Sequence, residues 1–236
     1  MKRMDSARIP LLFLLLGFFT DLPSGAMETV PAAPGLEWVL EKMDRRGGNL
    51  QSMSAKIIQK KWTDILEEFD EEERGEFHFL RENEAIRLRR DITEPGVSTL
   101  LINDGKGIFY QPLLKQANRY DLGARKDRAE FLLLGFTSKK EALREAYSIR
   151  WLGPELVGDR ETYALELTPR SDKVSAFFSR LVLWVDGRLW VPIQQKLVEP
   201  TRDYLLIRFE DVRLNLDLPA SRFELELPSD VNVIQF

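Results

Sequence analysis

STLLINDGKGIFYQP, Ser98–Pro112, decides the fold. Its two apolar runs, Leu100–Ile102 and Ile108–Tyr110, flank Asn103, Asp104 and Gly105, the residue types that a tight turn with positive φ accepts. The stretch predicts two antiparallel strands joined by a short hairpin, with Pro112 closing the second. The same pattern continues on both sides of it. Upstream, Gly75–Leu80 and Ala85–Arg90 read as strands with Phe77, Phe79, Ile86 and Leu88 on one face, and Met53, Ala55 and Ile57 begin another that runs toward Trp62. Downstream, Glu161–Pro169, Arg180–Glu199 with a turn at Asp186 and Gly187, and Asp203–Leu218 return to period two. In the last of these, Val212, Leu214, Leu216 and Leu218 alternate with Arg213, Asn215 and Asp217, as in a half-buried strand.

Two segments break the strand period. Leu36–Leu50 (LEWVLEKMDRRGGNL) places Leu36, Val39, Leu40 and Met43 on one face at helical spacing, and the helix ends at Gly47 and Gly48. Further on, Phe131–Leu134 is apolar all round, and Ser138 with Glu141 fits a capping box for a short helix through Tyr147. One helix, a meander of strands, a helical insert and more strands describe an α+β domain whose helices lie on one side of a curved antiparallel sheet. Such a sheet, curled without closing, presents a concave apolar face to the amphipathic helices. Periodicity does not separate a filled core there from a lined cavity.

The chain opens with Lys2, Arg3 and Arg8 followed by an apolar run, Ile9–Phe19, far short of the ~20 residues that span a bilayer. Pro23, Ser24 and Ala26 then supply a helix breaker and small residues. This reads as a cleaved export signal over residues 1–26, followed by a short tether over 27–35 and a single domain over 36–236. The expected product is an exported, soluble monomer.

Composition narrows the chemistry. The chain has no cysteine, one histidine and a formal net charge of −4, so it offers no Cys/His dyad, no cluster of transition-metal ligands and no basic surface for nucleic acid. No cofactor is expected, and an enzyme is the least expected class. His78, between Phe77 and Phe79, reads as a polar-face residue. The acidic run Glu67–Glu73 lacks the spacing of a calcium loop and reads as a solvated hairpin tip.

Taken in order, several short motifs resemble the periplasmic outer-membrane lipoprotein carrier family (LolA-like). Met53, Ala55, Ile57 and Gln59 of SMSAKIIQK match an apolar-x-Ala-x-apolar-x-Gln signature, and Gly75–Arg81 (GEFHFLR) matches a Gly-led strand ending in a basic residue. Ile102–Pro112 is similar to the family's Asp-Gly-Lys hairpin, and Phe223–Val233 (FELELPSDVNV) to its closing pattern. The proline that follows the basic residue in the family is Glu82 here. The resemblance implies an unclosed, strongly curved antiparallel half-barrel with a helical lid over an apolar cavity that receives acyl chains. It also implies a carrier that ferries lipoproteins from an inner-membrane release complex to an outer-membrane acceptor. On the same basis Arg81 is expected to latch the lid helix carrying Leu36, Val39, Leu40 and Met43. Ile86 and Leu88, with Phe77, Phe79, Leu101 and Ile108, are expected to line the cavity. The alternatives are an exported lipid or glycolipid shuttle and a lipid-binding sensor or scaffold module of the same fold.

Overall fold

The structure is a computed structural model that describes residues 34–82, 85–103, 105–121 and 133–236. The expected export signal and most of the tether lie outside these residues, as do Asp104 of the hairpin turn and Phe131 and Leu132.

The chain begins with helix α1 (Leu36–Gly48) and continues through β1 (Ser52–Thr63), the two-residue β2 (Glu68–Phe69), β3 (Glu73–Glu82), β4 (Ala85–Glu94), β5 (Ser98–Asn103), β6 (Lys106–Gln111) and β7 (Gln116–Asp121). After helix α2 (Lys140–Ala146) come β8 (Tyr147–Val157), β9 (Arg160–Pro169), the one-turn helix α3 (Asp172–Ser175), β10 (Arg180–Asp186), β11 (Pro192–Val198), β12 (Tyr204–Leu214) and β13 (Asn232–Gln235). The strands form one sheet in the order β13-β7-β6-β5-β4-β3-β1-β12-β11-β10-β9-β8, with β2 beside β1. All pairings are antiparallel except β13 with β7. β8 and β13 end the order without pairing to each other, so the curved sheet is an unclosed half-barrel with the helices on its concave side.

Two clusters fill the concave face. One gathers Met53, Ile57, Phe77, Phe79, Leu88, Ile92, Ile102 and Phe209 from the first half of the sheet with Leu133, Phe136 and Val191. The other sets Val39, Leu40 and Met43 of α1 against Leu165, Leu167, Leu181, Leu183 and Val185 of the second half. A third, small cluster of Leu80, Leu101 and Phe223 lies under the C-terminal segment.

Four local departures from the sequence reading have physical causes. β8 is a full strand in the stretch after the expected helix, where the sequence reading assigned no strand before Glu161. Gly153 and Pro154 obscure its period, and both are tolerated because β8 is an edge strand with a bulge between Trp151 and Gly153. β12 ends at Leu214, and a bulge at Asp211, with φ 51°, reverses its parity, so Phe209 and Val212 both face the core. The capping box does not form: Lys139 is the residue before α2, Asp44 Oδ1 of α1 accepts from Lys140 N–H at 3.0 Å, and Ser138 Oγ accepts from Gly135 N–H at 3.5 Å. His78 does point away from Phe77 and Phe79, yet it is buried rather than solvated. Arg222 Nη1 donates to its Nε2 at 3.1 Å from the C-terminal segment, and Glu76 Oε2 lies 3.1 Å from the same nitrogen. Burial pushes the His78 pKa down, more strongly than Glu76 raises it.

Candidate functional site: an apolar cavity under a plug and a lid helix

Strand parity places Ile57, Phe77, Leu88 and Phe209 on the concave face of four neighbouring strands, β1, β3, β4 and β12. Together with Leu100, Leu205 and Ile207, and with Leu181 and Leu197 from the other half, they line a cavity of about 180 Å³. Two polar side chains reach into it, Arg90 and Gln195. The volume is below the ~300–1,000 Å³ usual for small-molecule sites, so an acyl chain longer than a few methylenes enters only if something moves.

The segment packed beside these walls is Leu133–Phe136. Phe136 is inserted among the cavity walls, its ring 6.2 Å from Phe77 and nearly parallel to it, and 5.3 Å from Phe209 and perpendicular. Gln195 Nε2 donates to the Leu134 carbonyl at 3.3 Å, tying this plug to the cavity wall. Gly135 makes the plug possible: its φ is +86°, and a Cβ there falls 2.8 Å from both Leu183 Cδ1 and Pro192 Cγ. Gly135→Ala combines a left-handed strain of about 1–2 kcal/mol with that crowding. Amide exchange over 133–136 is expected to accelerate about tenfold while most of the sheet keeps its protection. Unchanged exchange in the plug would mean that it is not held by this turn.

α1 lies over the plug. Val39, Leu40 and Met43 are fully buried and Leu36 half-buried against the second-half cluster, which includes Leu134. Trp38 packs edge-on to Trp190 and Tyr163, at 4.9 and 5.6 Å. At the helix C-terminus, Arg81 Nη1 donates to the Gly47 carbonyl at 3.0 Å, and Arg46 Nε donates to the Leu189 carbonyl at 2.9 Å. The end of β3 and the turn after β10 thus each contribute one hydrogen bond at this end of the helix. Arg81 is half-buried, and desolvation draws its pKa down from an arginine's ordinary value. A guanidinium at a helix C-terminus also meets the negative end of the helix dipole.

Of the residues nominated from sequence, Phe77 and Leu88 line the cavity, and Phe79 and Ile86 pack in the cluster that forms its wall. Leu101 and Ile108 are corrections. They are directly opposite each other across β5 and β6, and Leu101 faces Leu80 and Phe223 on the convex side. Leu100 and Ile102 take the inward positions. Leu100, Leu101 and Ile102 form an unbroken apolar run, which carries no parity, so the misassignment lies one residue along the strand. The wall from β10, β11 and β12 was not nominated. Arg90 was missed as well, although it shares the parity of Ile86 and Leu88.

No family model matches the chain. An outer-membrane lipoprotein carrier protein of Chromohalobacter salexigens is 29% identical over 137 residues, 58% of this chain and 60% of the relative. Over that segment the chain is similar to a lipoprotein carrier. It spans about 60% of the length of that curated relative. Among solved structures, an uncharacterized conserved protein of Thermus thermophilus superposes with a TM-score of 0.53 at 12% identity, covering 85% of this chain and 98% of that one. MucB superposes with a TM-score of 0.51 at 14% identity, covering 83% and 64%. At these identities the structural likenesses establish the fold alone. Among the described residues, no helix is long and apolar enough to cross a membrane, and no group of three or more His, Cys, Asp or Glu is placed to hold a metal.

Proposed function

We propose that this chain is a LolA-like exported carrier that shelters acyl chains in its half-barrel and moves lipoproteins through the periplasm from the inner to the outer membrane. The observation that carries the reading is the apolar cavity on the concave face, beside which the turn Leu133–Phe136 packs on the wall residues Phe77 and Phe209 under a helix held by polar contacts at its C-terminal end. Each acyl methylene buried contributes about 0.8 kcal/mol, and a hydrogen bond from a charged group contributes about 1.5–3 kcal/mol. Two to four methylenes therefore offset the Arg81 latch, and loading opens the lid. Handover follows if the acceptor holds the chains more tightly than this carrier does. Residues 1–26 act as the cleaved signal in this reading, and N-terminal sequencing of the exported protein is expected to start near Met27.

The test is native mass spectrometry of the protein isolated gently from its own periplasm, with the bound material extracted and identified. An acylated polypeptide is the expected result. Free lipid or glycolipid would replace the lipoprotein reading with a lipid shuttle, and a persistently empty protein would overturn carriage in favour of a sensor or scaffold.

A further inference from the structure

We infer that the cavity is a site for an anionic amphiphile, in which a carboxylate or phosphate head is held by Arg90 and the single acyl chain runs toward the space filled by Phe136. The inference rests on acyl-chain binding in this cavity but not on lipoprotein cargo: an acylated N-terminus has no anionic head, so this ligand belongs to the free-lipid form of carriage. On β4 the inward positions read Ile86, Leu88, Arg90 and Ile92, so an arginine stands where the pattern calls for an apolar residue. Arg90 pairs across the sheet with Phe77 and Leu100, and its side chain lines the cavity with them.

Its partners are few for a guanidinium that is only partly exposed. Nε is closed off from solvent and donates to nothing. Nη1 reaches Gln59 Oε1 only at 3.4 Å, and the Gln59 amide nitrogen is committed to the Glu73 carboxylate. Glu73 and Asp91 draw on Arg90 from a distance, but among the described residues it forms no ion pair, and desolvation lowers its pKa from an arginine's ordinary value. An arginine remains protonated in such a place, and an unpaired, partly buried charge is costly until an anion or a set of acceptors meets it. A bound carboxylate or phosphate supplies the missing acceptors through charge-assisted hydrogen bonds.

Arg81, at the lid, pairs with Ile86, and Arg90 lies four residues further along β4, about 13 Å away at strand spacing. By register, Ile57, Phe209, Ile207 and Leu205 of the lining lie further from Arg81 than Arg90 does, so a head at Arg90 sits between the latch and the rest of the apolar wall. The tail runs past Phe77 and replaces Phe136 between Phe77 and Phe209.

The test uses calorimetric titration of the lipid-stripped full chain with three ligands of one chain length: hexadecanoate, its methyl ester and hexadecyl phosphate. The expected result is that at least one of the two anions binds about tenfold or more tightly than the ester, and the tighter of the two identifies the head as carboxylate or phosphate. Arg90→Met is expected to remove that preference and leave ester binding intact. Because the anion-to-ester ratio is measured on the unmodified chain, it stands even if the variant folds poorly. Equal binding of acid, phosphate and ester would overturn the anionic head while leaving acyl carriage in place. Arg90 would then be a strut for Gln59 and Glu73. Failure of all three ligands to bind would overturn acyl carriage itself, and this inference with it.

Discussion

Gly75→Ala is expected to lower the stability of this protein by about 3 kcal/mol or more, at the upper end of overpacking costs, which for a domain of this size corresponds to a fall in Tm of about 10 °C. Gly75 opens β3 opposite Ile92 of β4, immediately after a register shift between Arg74 and Gly75. A Cβ built on it collides with the Asp91 carbonyl oxygen and lies 2.8 Å from the Asp91 carbonyl carbon and 2.9 Å from Ile92 Cα. All three are backbone atoms, so no side-chain rotation relieves the clash. The two strands must separate at this point, and both carry cavity walls, Phe77 on one side and Leu88 and Arg90 on the other. The glycine is required for close approach rather than for a left-handed backbone, so Gly75→Ser and Gly75→Ala are expected to be similarly damaging. Thermal denaturation followed by circular dichroism checks this, and a Tm within 2 °C of the unmodified chain would show that the bulge adapts.

The half-barrel was legible in the sequence wherever apolar residues alternate strictly with polar ones. Phe77 and Phe79 against His78, and Ile86 and Leu88 against Arg87 and Arg89, give β3 and β4 one apolar face each, and the structure turns that face inward. β5 was legible as a strand but not as a face, because three apolar residues in succession satisfy both sides of a sheet that is covered on both. That second cover is the C-terminal segment, where Phe223 is buried and Arg89 Nη1 donates to the carbonyls of Arg222 and Glu224 at 3.0 and 2.9 Å. It buries His78 and Leu101, and no local period announces it. The plug was visible only as an apolar run ending at Leu134. Its insertion depends on contacts between residues far apart in sequence, such as Gly135 with Pro192 and Phe136 with Phe209. Arg90 was hidden in the string Arg87-Leu88-Arg89-Arg90, where two arginines face outward and one inward. Parity from Leu88 separates them, and in a run this basic the inward arginine carries the information.

Arg81→Leu is expected to tighten binding of a neutral acyl ligand, such as methyl hexadecanoate, by about tenfold while lowering the stability of the empty protein. The latch bond to Gly47 O at 3.0 Å exists only when α1 is seated. Removing it therefore weakens the closed, empty state and leaves the loaded, open state untouched. A hydrogen bond from a charged donor contributes about 1.5–3 kcal/mol, and because Arg81 is half-buried the lower end applies, which is about a factor of ten in the closed-to-open equilibrium. If the closed state predominates in the empty chain, that factor passes directly into apparent affinity, since a ligand that binds only the open form is penalised by the fraction of molecules closed. Hydrogen exchange across residues 36–48 is expected to accelerate by the same factor, whereas the sheet amides of β9 and β10 keep their protection. Arg81→Lys retains the charge but loses the planar fork, so it is expected to fall between the two. An Arg81→Leu protein with unchanged acyl affinity and unchanged exchange in α1 would reduce the contact to an ordinary strand-end hydrogen bond. In that case the lid would be held by its apolar face and the Arg46 bond to Leu189 O, and a carrier built that way would release its cargo only through an acceptor that pries α1 from the second-half cluster. The two cases differ in kinetics as well as affinity: a polar latch opens on loading alone, while an apolar seal of Val39, Leu40 and Met43 opens only against a partner that offers those side chains an equivalent surface.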